Sequence, residues 1–267
     1  MLPLAHWPHA ARASLRGVFF DIDDTLTTDG RLTAGAYAGM EMLHHAGLVL
    51  VPITGRPAGW CDHIARMWPI DAVVGENGAF YFRYDRSTRR MHRRFVDDEA
   101  IRVRHREQLQ AIGAEIVSRV RGAAIAADQA YRETDLAVDY CEDVVRLEQS
   151  AVAAIVSIMV SHGLTAKVSS IHVNGWFGSY DKLTMTTTLM HEAHGIDLAE
   201  SRKRYAFIGD SPNDAPMFAF FPHAIGVANI TDFEGQLSTL PQYITTARAG
   251  AGFREAADAV IAAKGKK

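Results

Sequence analysis

The sequence predicts an α/β protein, in which a Rossmann-like parallel-sheet core carries an inserted α+β cap domain. Short apolar runs alternate with helical stretches near both ends of the chain, which is typical of a parallel sheet covered by helices. This rhythm changes in the middle of the chain and then returns. The length of 267 residues also suits a core with an inserted module. We therefore expect a core of 1–82 and 182–267 and an insert of 83–181.

The first part of the core is predicted from apolar runs and the turn residues between them. A uniformly apolar run is typical of a strand that is buried on both faces. Glycine after a helical stretch and proline at a helix start mark the helix ends. The predicted elements are strands at 17–20, 48–53 and 70–74, and helices at about 33–45 and from Pro57.

The insert is predicted to mix helices with antiparallel strands, and the core then resumes. A segment rich in arginine and aromatic residues opens the insert and is followed by a polar helix. The elements predicted in the insert are helices at about 98–121 and 147–162 and strands at 123–127, 136–141, 166–170 and 171–177. The elements predicted in the resumed core are helices at about 183–194, after Pro212 and at 253–264, and strands at 205–208 and 224–227.

The composition is that of an ordinary globular protein with little overall charge. Hydrophobic residues make up 48% and charged residues 22%, which excludes global disorder. A net charge of -3 gives no overall field that would attract nucleic acid or a membrane. Cys61 and Cys141 are far apart in sequence, and we expect free, buried thiols. We see no export signal or spanning stretch, and expect a cytoplasmic monomer or homodimer.

Two aspartates that follow the first predicted strand are the strongest local sign of a site. Asp21 and Asp23 are two residues apart and therefore start on one side of an extended chain. Ligands of open α/β sheets bind at the carboxyl ends of the strands, where this pair lies. An Asp-rich turn held by local hydrogen bonds is the alternative for this segment alone.

Further polar groups follow the second strand and the insert. Thr54, Gly55 and Arg56 lie where a strand ends and a helix begins, an arrangement that suits anion binding or simple helix capping. Lys182 follows the insert by one residue, and a solvated surface charge is its alternative.

A third group of candidates follows the strand at 205–208. This strand leads into Asp210 and then into a helix start that carries Asn213 and Asp214. Ordinary helix capping explains the Ser-Pro pair between them but does not explain both aspartates.

The candidate acids predict a cation site at one edge of the sheet. Asp21, Asp23, Asp210 and Asp214 would repel one another there unless cations compensate their charge. Oxygen ligands from carboxylates, a backbone carbonyl and water suit Mg²⁺ rather than zinc. With Lys182 at the same place, the site would suit a highly charged oxyanion such as phosphate.

The chain resembles the haloacid dehalogenase (HAD) superfamily of phosphatases, whose four short motifs occur in this sequence in order. They are DIDDT at 21–25, Thr54 in ITGR, Lys182 in YDK and GDSPND at 209–214. The resemblance implies that Asp21 attacks phosphorus and becomes transiently phosphorylated. It also implies that the second aspartate of DIDDT acts as general acid and base.

The resemblance assigns the remaining motif residues to phosphate and metal binding. It implies that Thr54 and Lys182 hold the phosphoryl oxygens. It further implies that Asp210 binds Mg²⁺ directly, that Asp214 supports the metal shell, and that the backbone carbonyl of Asp23 is also a ligand.

The position of the insert indicates the subclass. About one βα unit separates Asp23 from Thr54, so the insert follows the second motif. With the GENG turn at 75–78, this resembles class IIB, cap type C2B: Cof-like hydrolases, sucrose-phosphate and mannosyl-3-phosphoglycerate phosphatases, and phosphomannomutases. The resemblance implies Mg²⁺-dependent hydrolysis of a small-molecule phosphate ester, such as a sugar or polyol phosphate. Asp-Ser-Pro replaces the Gly-Asp-Gly of many Cof-like members, so the substrate is not carried over.

The last part of the insert supplies candidate substrate contacts. His172, Asn174 and Trp176 combine an aromatic ring with polar groups, which suits a sugar, although packing between cap and core would explain them equally well. Arg56 would meet an anion of the substrate or pair with an acid. Asn213, at the start of its helix, is a further candidate.

Two other functions remain open on the sequence alone. A phosphomutase would use the same residues but return the phosphoryl group to the substrate. A non-catalytic nucleic-acid-binding protein would use the basic stretch at 83–106, but acids interleave this stretch and favour a solvated surface. The HEAH segment at 191–194 lacks the histidine spacing of a zinc protease. We expect neither nucleic acid nor membrane as a partner.

Overall fold

A computed structural model of the chain describes residues 1–265. A six-stranded sheet forms the centre of the core, and its strand pairs are parallel. Its strands carry numbers in chain order, and their spatial order is β1 (Leu2–Pro3), β13 (Tyr243–Ile244), β12 (His223–Gly226), β11 (Tyr205–Gly209), β2 (Gly17–Phe20) and β3 (Val49–Pro52). The predicted fold class, a parallel-sheet core interrupted by an α+β insert, is confirmed.

Helices cover both faces of this sheet and one face of the cap. They are α1 (His9–Ser14), α2 (Ala34–His45), α3 (Ala58–Met67), α4 (Glu99–Arg119), α5 (Gln149–Ser161), α6 (Lys182–His194), α7 (Leu198–Ser201), α8 (Ala215–Phe220) and α9 (Ala249–Lys264). The start of α6 matters for the site. The Asp181 side chain accepts a hydrogen bond from the amide of Thr184 and caps this helix. This N-terminal capping places Lys182 in the first turn of α6.

Strand β2 shows why the core strands are uniformly apolar. Its four residues are all buried. Val18 and Phe20 belong to one hydrophobic cluster with Phe253 of α9, while Phe19 belongs to a second cluster with Leu189 of α6. Alternate side chains therefore face helices on opposite sides of the sheet, and neither face could carry polar residues without burying them.

A second, antiparallel sheet follows the third βα unit. It consists of β4 (Val73–Gly75), β5 (Phe80–Asp85) and β6 (Arg90–Phe95). The rings of Phe80 and Phe82 stack at 4.4 Å between centroids, and Phe95 packs against both. Phe80 and Phe82 belong to the same hydrophobic cluster as β2, so this hairpin packs against the core.

The cap is an antiparallel sheet with two helices and its own hydrophobic core. Its strands, in spatial order, are β7 (Ala124–Ile125), β8 (Asp135–Asp139), β10 (His172–Trp176) and β9 (Thr165–Val168). Ile116 of α4 and Ile155 of α5 pack with Val138 and Val173 of the sheet in a third cluster. This apolar face explains the hydrophobic residues that interrupt the charged surface of α4.

The structure also corrects several expectations. Strands β1 and β13 and helix α1 were not predicted, because elements of two to six residues leave no clear periodic pattern. Helix α9 begins at Ala249 rather than at residue 253. Cys61 is buried, but Cys141 is partly exposed, contrary to the prediction for both thiols. Within 1–265, the chain forms no helix with the length and hydrophobicity that a membrane span requires.

Candidate active site

Two neighbouring strands deliver acidic side chains to the same edge of the central sheet. β2 ends at Phe20 and is followed by Asp21, while β11 ends at Gly209 and is followed by Asp210. The Asp21 amide continues the strand pairing by donating to the carbonyl of Ile208 at 2.9 Å. Parallel pairing therefore places both aspartates at the carboxyl ends of adjacent strands.

Three aspartates from these two segments form what we call the acid cluster. Asp21, Asp210 and Asp214 are buried, and each offers a carboxylate oxygen within 4.8 Å of the other two. Lys182 Nζ donates to Oδ1 of Asp21 and to Oδ1 of Asp214, both at 2.8 Å. Residues that are far apart in sequence thus meet around one lysine.

Burial dominates the electrostatics of the acid cluster. It raises the pKa of Asp21 to about 7, although Lys182 acts in the opposite direction. Burial and the neighbouring aspartates raise the pKa of Asp210 well above its usual value. Burial alone would lower the pKa of Lys182, but Asp21 and Asp214 raise it above its usual value. The cluster therefore holds more negative charge than its lysine can balance.

The partners of Asp210 and Asp214 distinguish their roles. Oδ2 of Asp214 accepts from the amides of Asp210 and Ser211, so that both of its oxygens are engaged once Lys182 is included. Asp210 accepts from Thr25 Oγ1 at 3.0 Å and from Asn229 Nδ2 at 3.3 Å. In the described part of the chain, no cationic side chain hydrogen bonds to Asp210.

The acid cluster has the donor set of a magnesium site. Its possible ligand atoms are carboxylate oxygens, which are ligands that Mg²⁺ prefers. The cluster contains no histidine or cysteine, the ligands typical of zinc sites. Burial, and after it repulsion by the neighbouring aspartates, raises the pKa of Asp210, and a divalent cation would relieve this repulsion. Asp21 and Asp210 could bind the ion directly, whereas Asp214 is occupied in supporting its neighbours.

Thr54 and Gly55 lie at the carboxyl end of β3. Thr54 is buried, and its hydroxyl accepts a hydrogen bond from the Arg56 amide at 3.0 Å. The Gly55 carbonyl accepts from Arg132 Nη1 at 2.8 Å, so this turn also contacts the cap. The hydroxyl thus orders the turn but does not cap α3, whose N-cap is Pro57 without a side-chain hydrogen bond, so the capping alternative is wrong.

A cleft beside the acid cluster is lined by both domains. Core and cap residues contribute equally to its walls. The lining residues are Asp21, Asp23, Gly55, Arg56 and Asn213 from the core, and Ser169, Ser170, Ile171, His172 and Asn174 from the cap. The structure therefore brings the candidate contacts His172 and Asn174 to the same cleft as the paired aspartates after β2.

Trp176 lies elsewhere. It belongs to the buried core, its indole nitrogen donates to the carbonyl of Tyr180 at 3.3 Å, and the two rings stack. The packing alternative therefore describes this residue. Asn213 does line the cleft, and its Oδ1 accepts from Ser211 Oγ at 2.8 Å.

Arg56 binds Asp23 inside the protein. Its Nε lies 3.0 Å from both carboxylate oxygens of Asp23, and its Nη2 lies 2.8 Å from Oδ1. Nη2 also donates to Oε1 of Glu142 at 2.7 Å, and Nη1 lies 3.5 Å from Oδ2 of Asp128. The arginine thus joins a core aspartate to two acids of the cap.

Arg132 of the cap completes a group that we call the arginine clasp. Its side chain is fully buried, and it binds Asp128 and Asp135 through hydrogen bonds of 2.9 to 3.1 Å. The group consists of Arg56 and Arg132 with the acids Asp23, Asp128, Asp135 and Glu142. Each of these acids lies within 3.5 Å of a guanidinium nitrogen.

Glu76 of the GENG turn provides a second contact between core and cap. Its buried carboxylate accepts from the amides of Ala58, Glu133 and Thr134 and from the Thr134 hydroxyl. Glu76 and Asn77 both have positive φ, at 42° and 56°. Burial raises the pKa of Glu76 to about 7. One core carboxylate thus holds the cap segment that carries Arg132.

Arginines of the basic stretch form salt bridges, and Arg94, His191 and Glu192 line a second cavity that shares no lining residue with the cleft. Arg93 pairs with Asp62 and Arg94 with Glu192, while Arg102 and Arg106 both pair with Glu133. Glu192 also accepts from the Tyr81 hydroxyl at 2.9 Å. Within 1–265, the acid cluster is the only group of three His, Cys, Asp or Glu side chains placed to hold a metal ion.

Several residues that shape the site were not predicted from the sequence. Thr25 lies in the DIDDT motif but had no assigned partner, and Asn229 follows β12 at the same sheet edge as Asp210. Glu142 and Arg132 lie in cap loops without any local pattern. A polar residue three positions after β12 would have been a usable signal, whereas the cap residues depend on how the two domains meet.

No family model matches the sequence, and no curated protein matches it. Solved structures do match along nearly the whole chain. The C-terminal domain of trehalose-6-phosphate phosphatase from C. albicans is 13% identical, with a TM-score of 0.70 over 98% of each chain. The sucrose-phosphatase of Synechocystis, solved with sucrose and phosphate, is 12% identical, with a TM-score of 0.62 over 92% of this chain and 98% of that one. A HAD subclass IIB sugar phosphatase is 13% identical, with a TM-score of 0.60 over 93% and 97%.

These likenesses concern the fold. The chain has the fold of the HAD class IIB hydrolases, in which a Rossmann-like core carries a separate cap.

Proposed function

We propose that the protein is a Mg²⁺-dependent phosphatase that hydrolyses a small phosphomonoester, a sugar or polyol phosphate, through an aspartyl-phosphate on Asp21. The observation that carries this proposal is the acid cluster: three buried aspartates lie together after adjacent strands, Lys182 binds two of them, and Asp21 lines the cleft. Two solved structures with this fold are a trehalose-6-phosphate phosphatase and a sucrose-phosphatase, and their names support a sugar phosphate as the substrate class.

In the proposed first step, a carboxylate oxygen of Asp21 attacks phosphorus. The bond from phosphorus to the ester oxygen breaks, and Asp23 gives a proton to the departing alcohol. Lys182 pairs with Asp21 and would hold a phosphoryl oxygen there, and Thr54 would hold a second one. Both oxygens of Asp23 face Arg56 in the structure, so this step includes rotation of the Asp23 side chain.

In the second step, Asp23 takes a proton from water, and the water oxygen attacks the phosphorus of the aspartyl-phosphate. The acyl phosphate bond breaks and restores Asp21 as a carboxylate with release of inorganic phosphate. Asp21, Asp210 and the backbone carbonyl of Asp23 would hold Mg²⁺, with Asp214 in support. When bound, the ion would offset the repulsion between the anionic nucleophile and the anionic phosphate.

The proposal also assigns the two domains. Residues 1–82 and 182–267 would carry the catalytic core, and 83–181 would cover the alcohol part of the substrate. Five residues in the walls of the cleft would face the alcohol part of the substrate: His172, Asn174, Arg56, Gly55 and Asn213. We further propose a cytoplasmic protein that acts as a monomer or homodimer on this soluble substrate.

A screen of phosphorylated sugars and polyols with and without Mg²⁺ tests the proposal. Asp21→Asn should lower phosphate release on the order of 10⁴-fold or more, because it removes the nucleophile. Asp258→Asn, on the exposed surface of α9, is the control and should retain normal rates. Near-normal rates in Asp21→Asn or without Mg²⁺ would overturn the proposal. Isomerised ester without free phosphate would indicate a phosphomutase instead.

A further inference from the structure

We propose that Glu142 is a specificity-determining residue that keeps the cap side of the cleft from accepting phosphate esters with a second anionic group. Glu142 would do so by neutralising Arg56 and by contacting His172, two groups in the cleft wall that could otherwise bind an anion. This inference rests on the proposed phosphatase function and names the charge of the preferred substrate.

The Glu142 carboxylate bridges the two cleft residues. Its Oε1 accepts from Arg56 Nη2 at 2.7 Å, and its Oε2 lies 2.8 Å from His172 Nε2. Arg56 and His172 both line the cleft and are 5% and 2% exposed, so they can reach few partners other than this carboxylate and a ligand in the cleft. One glutamate of the cap therefore accepts a hydrogen bond from the arginine and contacts the histidine.

The other nitrogen atoms of Arg56 are occupied as well. Nε faces both oxygens of Asp23, and Nη1 lies 3.5 Å from Asp128. All three nitrogens of the guanidinium group thus face carboxylates. A second anion of the substrate would have to displace one of these acids to reach the positive charge.

Glu142 carries a full negative charge at neutral pH. The contact with His172, followed by that with Arg56, outweighs partial burial and lowers the pKa of Glu142 to about 2. Around Arg56 stand Glu142, Asp23 and Asp128, of which Asp128 is shared with Arg132. The charge on this side of the cleft is therefore negative overall, and a second anion would be repelled.

The remaining cap residues of the cleft are uncharged. They are Ser169, Ser170, Ile171 and Asn174. Hydroxyl and amide groups can pair with the hydroxyls of a neutral alcohol without any charge to balance. The cap wall therefore favours esters of neutral polyols and disfavours esters of hydroxy acids or bisphosphates.

Two esters of nearly equal size separate these classes. Glycerol 3-phosphate and 3-phosphoglycerate differ in that a hydroxymethyl group is replaced by a carboxylate. The measured quantity is kcat/KM for 3-phosphoglycerate divided by that for glycerol 3-phosphate, in the presence of Mg²⁺. Glu142→Gln keeps the size of the side chain and removes its charge, and we expect this ratio to rise about tenfold.

A matched control exists on the outer surface of the cap. Glu115 also bridges an arginine and a histidine, with Arg119 Nη1 at 2.5 Å and His162 Nε2 at 2.8 Å, but its partners are solvent-exposed and do not line the cleft. Glu115→Gln should leave the ratio unchanged. Glu142→Ala should shift the ratio in the same direction as Glu142→Gln, which excludes an effect peculiar to the amide.

The outcomes separate this inference from the proposed function. Hydrolysis of p-nitrophenyl phosphate with Mg²⁺ is followed in every variant. If neither ester is turned over, both are tested as competitive inhibitors of this hydrolysis, and the ratio of their inhibition constants replaces the ratio of kcat/KM values. An unchanged ratio in an active Glu142→Gln variant would overturn the role of Glu142 alone. Absence of hydrolysis of any phosphate ester by the unsubstituted protein would overturn the proposed function and this inference with it.

Discussion

The acid cluster and the arginine clasp are both buried beside the cleft, but they balance their charges differently. In the clasp, each acid lies within 3.5 Å of a guanidinium nitrogen of Arg56 or Arg132. In the acid cluster, Lys182 contacts Asp21 and Asp214, while Asp210 has neutral partners, a hydroxyl and an amide. Both groups contain two more acids than cationic side chains, but every acid of the clasp contacts a guanidinium, whereas Asp210 of the acid cluster contacts no cationic side chain of residues 1–265.

This difference separates two uses of buried charge. Burying carboxylates costs free energy unless cations compensate, and the protein supplies the cations itself where the purpose is to join cap and core. Where the compensation is incomplete, a mobile cation can supply it, and its binding is then linked to stability. The lack of a cationic partner for Asp210 among the residues that the structure describes is thus the physical reason to expect a metal there.

The largest effect is expected in the arginine clasp, in which every acid contacts a guanidinium. Arg132→Met removes the guanidinium that Asp128 and Asp135 share in a fully buried position. Leaving two buried carboxylates without this partner should lower the free energy of unfolding by about 3–5 kcal/mol, measured by urea denaturation. Arg119→Met is the matched control, since Arg119 pairs with Glu115 at the same i, i+4 spacing but on the exposed surface. That variant should change stability by less than about 0.5 kcal/mol. Equal losses of unfolding free energy in Arg132→Met and Arg119→Met would contradict a special role of the buried pairs.

The second largest effect is expected in the acid cluster and concerns stabilisation by Mg²⁺. At free Mg²⁺ about 100-fold above its dissociation constant, the unsubstituted protein should gain about 2.7 kcal/mol of stability. Asp210→Asn should lose most of this gain, because it removes a ligand that lacks a cationic partner. Without metal, the same variant should be about 1 kcal/mol more stable than the unsubstituted protein, since a buried like charge is gone. A Mg²⁺-dependent gain of full size in Asp210→Asn would remove the acid cluster as the metal site.

The smallest effect concerns the pH dependence of stability and involves Glu76. This residue lies at the domain junction, like the clasp, but its carboxylate accepts from amide and hydroxyl donors instead of a guanidinium. Its pKa is raised from 4.5 to about 7 by burial, so the folded protein keeps a proton that the unfolded chain releases. The resulting stability is present below pH 4.5 and is lost as the pH rises through about 7.

Stability measured across this pH range should therefore fall less in Glu76→Gln than in the unsubstituted protein, by about 1–2 kcal/mol. Glu255→Gln, which removes a partly exposed carboxylate that also accepts hydrogen bonds from backbone amides, should retain the original slope. Identical slopes in Glu76→Gln and the unsubstituted protein would show that Glu76 stays ionised throughout.

The two groups also differ in how far the sequence predicts them. Asp21, Lys182 and Asp210 directly follow or begin elements of the core, and parallel strands bring such positions to one edge by geometry alone. The core strands were predictable for the same reason, because burial on both faces requires uniformly apolar runs. Local pattern therefore predicts both the elements and the candidate acids that stand at their ends.

The clasp could not be predicted in this way. Glu142 and Arg132 lie in loops of the cap, and their partners are decided by how the cap rests on the turn at Thr54 and Gly55. Arg56 was left open between a substrate anion and an acid, and only the packed structure shows that Asp23 occupies it. Contacts between domains carry no sequence period, so they are specified by tertiary packing alone.

The central claim is that the acid cluster carries Asp21 as a nucleophile beside a bound cation. Acid quenching during turnover of a phosphate ester with Mg²⁺, followed by peptide mapping, measures this directly. We expect a phosphoryl group on the Asp21 carboxylate, absent without Mg²⁺ and absent in Asp21→Asn. Steady hydrolysis with no phosphoryl group on Asp21, or with the group on another residue, would contradict it.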